Sequence, residues 1–309
     1  MSHYLGIDTS NYTTSASVYD SDSDRVYSCK KLLPVAENAV GLRQSDAVFS
    51  HIKQLAQIIA ELFEGNNFDI EAVCASTRPR SVEGSYMPAF LVGDMVASSV
   101  ACVKNAKRYS CSHQEGHIVA ALHSAGQMEL LHEEFYAFHI SGGTTECLLV
   151  KPCGNLFEVE LVAKTLDLNA GQLVDRIGVM LGLSFPCGKE LDKLSLCCDD
   201  KFKIKPTFKG LDCHLSGVQN QCEDMKIKAK SDEYIARYVI EYIKAVIDKM
   251  TQKILQTYGK KPLLYAGGVM SNSVIKEYIT NKYGGFFAEP QFSTDNASGV
   301  AIIASILDR

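Results

Sequence analysis

The chain has 309 residues, 46% of them apolar, enough at roughly 150 residues per domain to fill two hydrophobic cores and to exclude disordered and fibrous classes. Thirty-one Lys and Arg against 36 Asp and Glu give a formal net charge of −5, which excludes an all-over basic nucleic-acid coat but leaves room for a local patch. The start, Met1-Ser-His-Tyr-Leu-Gly-Ile-Asp8, lacks an export pattern, the best apolar stretch is interrupted by Asp94, and the eleven cysteines form no C-x-x-C pair, so the expectation is a cytoplasmic chain with no membrane span and reduced thiols.

In chain order, residues 4–18 read as a strand, a turn of small and hydroxylated residues, and a returning strand. Residues 45–63 place apolar side chains at three- and four-residue intervals, an amphipathic helix. A buried strand is expected at 71–76, a helix at 88–105 and a short strand at 108–112. A helix follows at 113–125, with Ser112 available as its N-cap. Residues 136–150 repeat the outline of the opening hairpin, and a unit recurring once per half-chain predicts two similar α/β lobes. Helices are expected at 171–183 and 233–258, then a buried strand at 262–269 running into a Gly-Gly turn and a helix, and a final apolar helix at 297–307. The least regular, lysine-rich stretch, 201–230, reads as a solvated face.

The sharpest local signal is His113-Gln-Glu-Gly-His117: a four-residue spacing on a helix brings two imidazoles to one face, where they either chelate a metal ion or are ordinary surface histidines. The zinc-protease pattern needs glutamate directly after the first histidine, and Gln114 holds that place, so zincin chemistry is disfavoured. Three small-residue turns follow apolar strands: Ser141-Gly142-Gly143-Thr144-Thr145, Pro186-Cys187-Gly188 and Gly267-Gly268-Val269-Met270-Ser271-Asn272. Each is either a tight connection or a backbone cradle for phosphate oxygens, and three in one half-chain tilt towards a nucleotide. Asp175 and Asp192 flank the middle turn, and Asp295, just before the last helix, either caps it or offers a hard ligand to the cation of the histidine pair.

Taken together, Gly6-Ile-Asp-Thr-Ser10, His113-x-x-x-His117, Ser141-Gly-Gly-x-Thr145, Gly171-x-x-x-Asp175 continuing to Leu181-Gly-Leu-x-x-Pro-x-Gly188, Ala266-Gly-Gly-Val-x-x-Asn272 and Thr294-Asp-Asn296 resemble, in order and nearly end to end, the tRNA threonylcarbamoyladenosine transferases, once called O-sialoglycoprotein endopeptidases or glycoproteases. The resemblance implies an α/β fold of the actin/Hsp70 (ASKHA) type, two duplicated ribonuclease H-like lobes with a nucleotide cleft between them. The first lobe would span residues 1–108, with the helix at 297–309 returning to it; the second, 109–296, would carry the metal and nucleotide motifs. By the same resemblance His113, His117 and Asp295 match metal ligands for one divalent ion, iron or zinc, and His139 is either a further ligand or a half-buried strand histidine. His139, Ile140, Ser141, Gly142 and Gly143 match the substrate loop, Asp175 and Gly188 adenosine contacts, Asp192 a ribose-binding carboxylate and Asn272 a further nucleotide contact. Asp8, Thr9, Ser10, Gly267 and Gly268 fall on the phosphate side.

The implied reaction moves a threonylcarbamoyl group from threonylcarbamoyl-AMP to the exocyclic amine of the adenosine beside the tRNA anticodon. It needs an adenine nucleotide, a metal and no protein nucleophile. Implied partners are tRNA, a small paralogue of the same fold and an ATPase. The sequence departs from its family on loops. Tyr12 and Thr13 replace two acidic residues, Thr77-Arg-Pro-Arg80 replaces a Gly-Pro-Gly turn, Thr144 replaces histidine or asparagine, and Ser216-Gly-Val-Gln-Asn220 lacks the usual lysine. Such changes suit a divergent bacterial member or a paralogue, so a non-catalytic nucleotide-binding scaffold and a carbamoyl transferase with another acceptor stand beside the tRNA reading.

Overall fold

The computed structural model describes residues 2–10, 12–34, 42–292 and 297–309. The chain divides into two compact units, the first of Met1–Met128, Cys153–Glu158 and Gln291–Arg309, the second of Glu129–Pro152 and Val159–Pro290.

The first unit starts with β1 (His3–Thr9), β2 (Thr13–Asp20) and β3 (Arg25–Leu32), followed by α1 (Gln44–Phe63), β4 (Ile70–Arg78), α2 (Phe90–Lys104), β5 (Lys107–Ser112) and α3 (His113–Ser124). Its sheet has the order β3-β2-β1-β4-β5, antiparallel between β1, β2 and β3 and parallel from β1 through β4 to β5. β1 and β2 are buried along their whole length, as expected of central strands covered on both faces. One core is built from Leu5, Ile7, Val18, Leu55, Ile58, Val73 and Val92. The C-terminal helix (Ser298–Asp308) packs on β1, β2 and β4 and crosses α3. Glycines permit that approach. A Cβ on Gly6 would collide with the backbone of Ala297 and Ala301, and one on Gly299 would strike the carbonyl of Gly116.

The second unit contains β6 (Phe135–Ile140), β7 (Thr145–Cys153) up to Pro152, β8 (Leu156–Lys164) from Val159, α4 (Ala170–Met180), α5 (Gly188–Ser195), β9 (Thr207–Lys209), β10 (Asp212–His214), α6 (Ser216–Ile227), α7 (Asp232–Tyr258), β11 (Leu263–Ala266), α8 (Ser273–Tyr283) and β12 (Phe286–Phe287). Its sheet runs β12-β11-β6-β7-β8, with β6–β7 antiparallel and β6–β11 and β11–β12 parallel. Read by order of appearance, both sheets have the arrangement 3-2-1-4-5, antiparallel between the first two strands and parallel from the first through the fourth to the fifth, which makes the duplication seen in the two hairpins a duplication of whole units. The second core centres on Tyr136, Phe138, Leu173, Ile243, Ile247 and Tyr265.

Two sequence expectations need correcting. A boundary after residue 108 would cut β5 from the sheet whose edge it forms through parallel pairing with β4, so the first unit continues to Met128 and holds the histidine pair. Residues 201–230 are not merely a solvated face, because they include the β9–β10 hairpin and α6, whose Val218 and Cys222 are buried.

Candidate functional site

In the first unit, α3 starts with a capping box. Ser112 Oγ accepts from Glu115 N–H at 3.2 Å, and Glu115 Oε2 accepts from Ser112 N–H at 2.5 Å. Glu115 is therefore a structural cap, which agrees with the disfavoured protease reading. The cap fixes the first turn of the helix, and with it the imidazole of His113; one turn on, His117 Nε2 stands 2.9 Å from His113 Nε2. On its other side His113 Nδ1 lies 2.6 Å from Asp8 Oδ2, a carboxylate only 2% exposed. Asp8 sits near the end of β1, where its Oδ1 also accepts from Ser10 N–H at 2.8 Å. Beside this group, Gln114 N–H donates to the carbonyl of Pro79, and Arg78 pairs across the sheet with Ser112, so the Arg-Pro-Arg turn borders the start of α3.

The donor set fits a divalent metal ion of borderline softness. Nitrogens of two imidazoles on one tetrahedral ion at roughly 2.0–2.1 Å stand about 3.3 Å apart, so the pair needs to open only slightly. Thiols are poor candidates here. Cys111, just ahead of Ser112, has its pKa pushed well up by its contact with Cys74 and by burial. Among the described residues no group of three or more His, Cys, Asp or Glu is placed to hold a metal. Asp295, with Thr294 and Asn296, lies outside the described residues. His139 belongs to β6 of the second unit, where it is half-buried and faces Glu146 and Ala266 across the sheet.

In the second unit the predicted nucleotide residues form one connected set. Ile140 ends β6, and Ser141 turns the chain, its N–H donating to Thr144 carbonyl at 2.7 Å and its Oγ accepting from Thr144 N–H. The first turn of α4 is seated on this loop, with Ala170 N–H donating to Thr145 Oγ1 and Gly171 N–H to the Ser141 carbonyl, which satisfies two donors a helix start leaves unpaired. A Cβ on Gly171 would stand 2.5 Å from Gly142 N, and one on Gly267 would strike the Ile140 carbonyl. One turn along α4, Asp175 Oδ1 accepts from Cys187 N–H at 2.9 Å and fixes the turn leading to Gly188, the exposed first residue of α5. One turn further, Asp192 accepts from Asn272 Nδ2 at 2.7 Å, from Ser273 Oγ at 3.1 Å and from Ser273 N–H at 3.2 Å. Asn272 in turn caps α8 through Ile275 N–H. Gly142, Gly143 and Gly268 are exposed, and Asp175 and Asp192 half-exposed. Burial and the neighbouring Asp175 and Glu190 carboxylates raise the Cys187 thiol, so it is no ready nucleophile.

Thr9, expected on the phosphate side, has a structural task, and Asp167 escaped the sequence reading. Thr9 Oγ1 donates to Ala89 carbonyl and accepts from Gly93 N–H, tying β1 to the start of α2. Asp167 accepts from Leu168 and Leu215 N–H and Ser216 Oγ, and contacts His214 Nδ1 at 3.2 Å. Burial opposes ionisation of Asp167, yet these hydrogen bonds outweigh it and hold the carboxyl well below its usual range.

Two units of the same mixed-sheet topology, with chemistry gathered at strand ends, define the actin-like ATPase fold class. Solved structures agree on the fold. A T. kodakarensis HypF matches at TM-score 0.62 and 12% identity over 99% of this chain and 47% of its own, so the chain spans about half of that protein. Component A of the Acidaminococcus fermentans (R)-2-hydroxyglutaryl-CoA dehydratase matches at TM-score 0.54 and 12% identity, over 98% of each chain. A ROK family glucokinase from Streptomyces griseus, solved with glucose and AMPPNP, matches at TM-score 0.53 and 11% identity over 98% of this chain and 99% of its own. Within that class, residues 38–302 match the model of the tRNA N6-adenosine threonylcarbamoyltransferase family, TsaD, and the chain belongs to this family of tRNA-modifying transferases. Among the described residues no helix is long and apolar enough to cross a membrane.

Proposed function

We propose that this protein transfers a threonylcarbamoyl group from threonylcarbamoyl-AMP to the exocyclic amine of the adenosine beside the tRNA anticodon, assisted by one iron or zinc ion. The observation that carries the reading is the juxtaposed Nε2 atoms of His113 and His117 in a chain of this family. Asp295 is the proposed further ligand. A divalent ion so held supplies Lewis acidity to carbonyl or phosphate oxygens.

The remaining work falls to the chain itself. Exposed amides of Gly142, Gly143 and Gly268 offer donors to the phosphate, while Asp175, Gly188, Asp192 and Asn272 hold the nucleoside. Asp192 retains acceptor capacity for a ribose hydroxyl while anchoring Asn272. The amine attacks the carbamoyl carbon, the bond to the phosphate oxygen breaks, AMP leaves and the amine proton passes to solvent. An anticodon-loop adenosine is unpaired, so little unstacking opposes its approach. The glucokinase neighbour solved with AMPPNP supports a nucleotide site on this fold. The small paralogue and the ATPase are the proposed partners, and the eleven free cysteines support a reducing, cytoplasmic setting.

The test incubates the purified chain, alone and with those two partners, with labelled threonylcarbamoyl-AMP and unmodified tRNA. Labelled tRNA and stoichiometric AMP are expected. AMP release without labelled tRNA refutes the acceptor, and no turnover with retained nucleotide binding favours the scaffold. His117→Ala should lower bound zinc below one per chain; unchanged zinc refutes the metal site.

A further inference from the structure

We infer that Asp8 is the positioning residue of the histidine pair: its buried carboxylate fixes the His113 ring with the proton on Nδ1, so that the Nε2 lone pair is presented beside His117. The inference rests on the metal reading above and assigns Asp8 a different task from phosphate contact. An ionised carboxylate can only accept hydrogen bonds. Opposite an ionised Asp8, at 2.6 Å from its Oδ2, His113 Nδ1 carries the hydrogen, because a bare ring nitrogen there would set two lone pairs against each other. That choice leaves Nε2 of the neutral ring without a proton, and it is this atom that stands 2.9 Å from His117 Nε2.

The carboxylate is held as firmly as the ring. Ser10 N–H donates to its other oxygen, Asp8 pairs with Ser15 in the β1–β2 register, and Ser15 Oγ donates to the Asp8 carbonyl. At 2% side-chain exposure against 20% for His113, Asp8 lies behind the ring rather than in front of it, the arrangement of a carboxylate that orients a metal-binding imidazole and raises its basicity. Removing such an outer partner costs about 10- to 100-fold in metal affinity.

Two measurements test this. The first uses the metal-free wild-type protein at pH 8 with 15N-labelled histidine: long-range 1H–15N correlation should show His113 protonated on Nδ1 and bare on Nε2. A proton on His113 Nε2 overturns the inference, whatever any variant does. The second is a zinc competition titration against a chromogenic chelator. Asp8→Asn, which keeps the side chain's shape and one acceptor, should bind zinc about 10- to 100-fold more weakly than wild type, and Asp8→Glu should recover part of the loss. Equal affinity of wild type and Asp8→Asn overturns the positioning role while the metal reading stands. If the wild type binds no zinc or ferrous ion although His113 carries its proton on Nδ1, the metal reading fails, and the inference fails with it.

Discussion

Gly171→Ala is the most demanding test of how the second unit builds its candidate nucleotide loop. A Cβ there would lie 2.5 Å from Gly142 N, 2.6 Å from Ser141 C and 2.7 Å from Gly142 Cα, all backbone atoms that no rotamer change can move. Restoring ordinary contact requires loop and helix to separate by roughly 0.7–0.9 Å, enough to break the 3.1 Å bond from Gly171 N–H to the Ser141 carbonyl. Overpacking of this kind costs about 1–3 kcal/mol, and the lost hydrogen bond about 0.5–1.5 more, so a destabilisation of about 2–4 kcal/mol is expected. AMP affinity should fall as well, because the displaced amides are the ones proposed to meet the phosphate. The control is Gly143→Ala, where a Cβ meets nothing within 4 Å and stability should stay within about 0.5 kcal/mol. Urea denaturation and calorimetric titration with AMP read both effects. A Gly171→Ala protein as stable as Gly143→Ala, binding AMP with unchanged affinity, would refute the claim that the close seat of α4 shapes the loop.

Asp167→Asn should destabilise the protein by roughly 2–4 kcal/mol in urea, since an amide cannot accept all the bonds the carboxylate receives. Because the folded carboxyl titrates below its unfolded value of about 3.9, its contribution is complete above that pH and fades below it, so the gap between wild type and variant should narrow under pH 4; a gap that is constant down to pH 2 contradicts this. His51 is fully buried against Thr14, and burial depresses its pKa, so below about pH 6.5 the unfolded chain takes up a proton that the folded one refuses. Melting temperature should therefore fall less between pH 7.5 and 5.5 in His51→Gln than in wild type, and equal slopes would exclude the effect.

What the sequence made legible was whatever repeats over a short span. The three- and four-residue spacing of residues 45–63 appears as α1, the apolar tail as the C-terminal helix, and the four-residue histidine spacing as a pair on one face of α3. β3 was missed because, as an edge strand, it exposes Lys30, Lys31 and Leu32 and only half-buries Tyr27 and Cys29 against the core. The partner of Asp8 lies 105 residues away and that of Asp192 80 residues away, and nothing in local spacing records such pairings. The lobe boundary failed for the same reason, since only the parallel pairing of β5 with β4 shows where the strand belongs.

The duplicated topology explains why the chemistry concentrates where it does. In sheets with parallel strands, the carboxyl ends are where chains turn away and side chains and amides are left facing outward. In the first unit those ends carry Asp8 on β1, Arg78 on β4 and His113 directly after β5; in the second they carry Ser141 after β6 and Gly267 after β11. Corresponding edges have thus taken on different work, imidazole and carboxylate in one, glycine amides in the other. Of the departures from the family pattern, the Thr77-Arg-Pro-Arg80 turn falls on the first of these edges, where Arg78 and Arg80 border the start of α3, and Thr144 falls on the second, in the Ser141 loop. The Arg78 guanidinium donates to Thr77 Oγ1 and Ser81 Oγ within the turn, while the network that sets the imidazoles lies in β1. Because the Pro79 carbonyl accepts from Gln114 N–H and Arg78 pairs with the N-cap Ser112, a change in the Arg-Pro-Arg turn bears on how α3 sets His113 and His117.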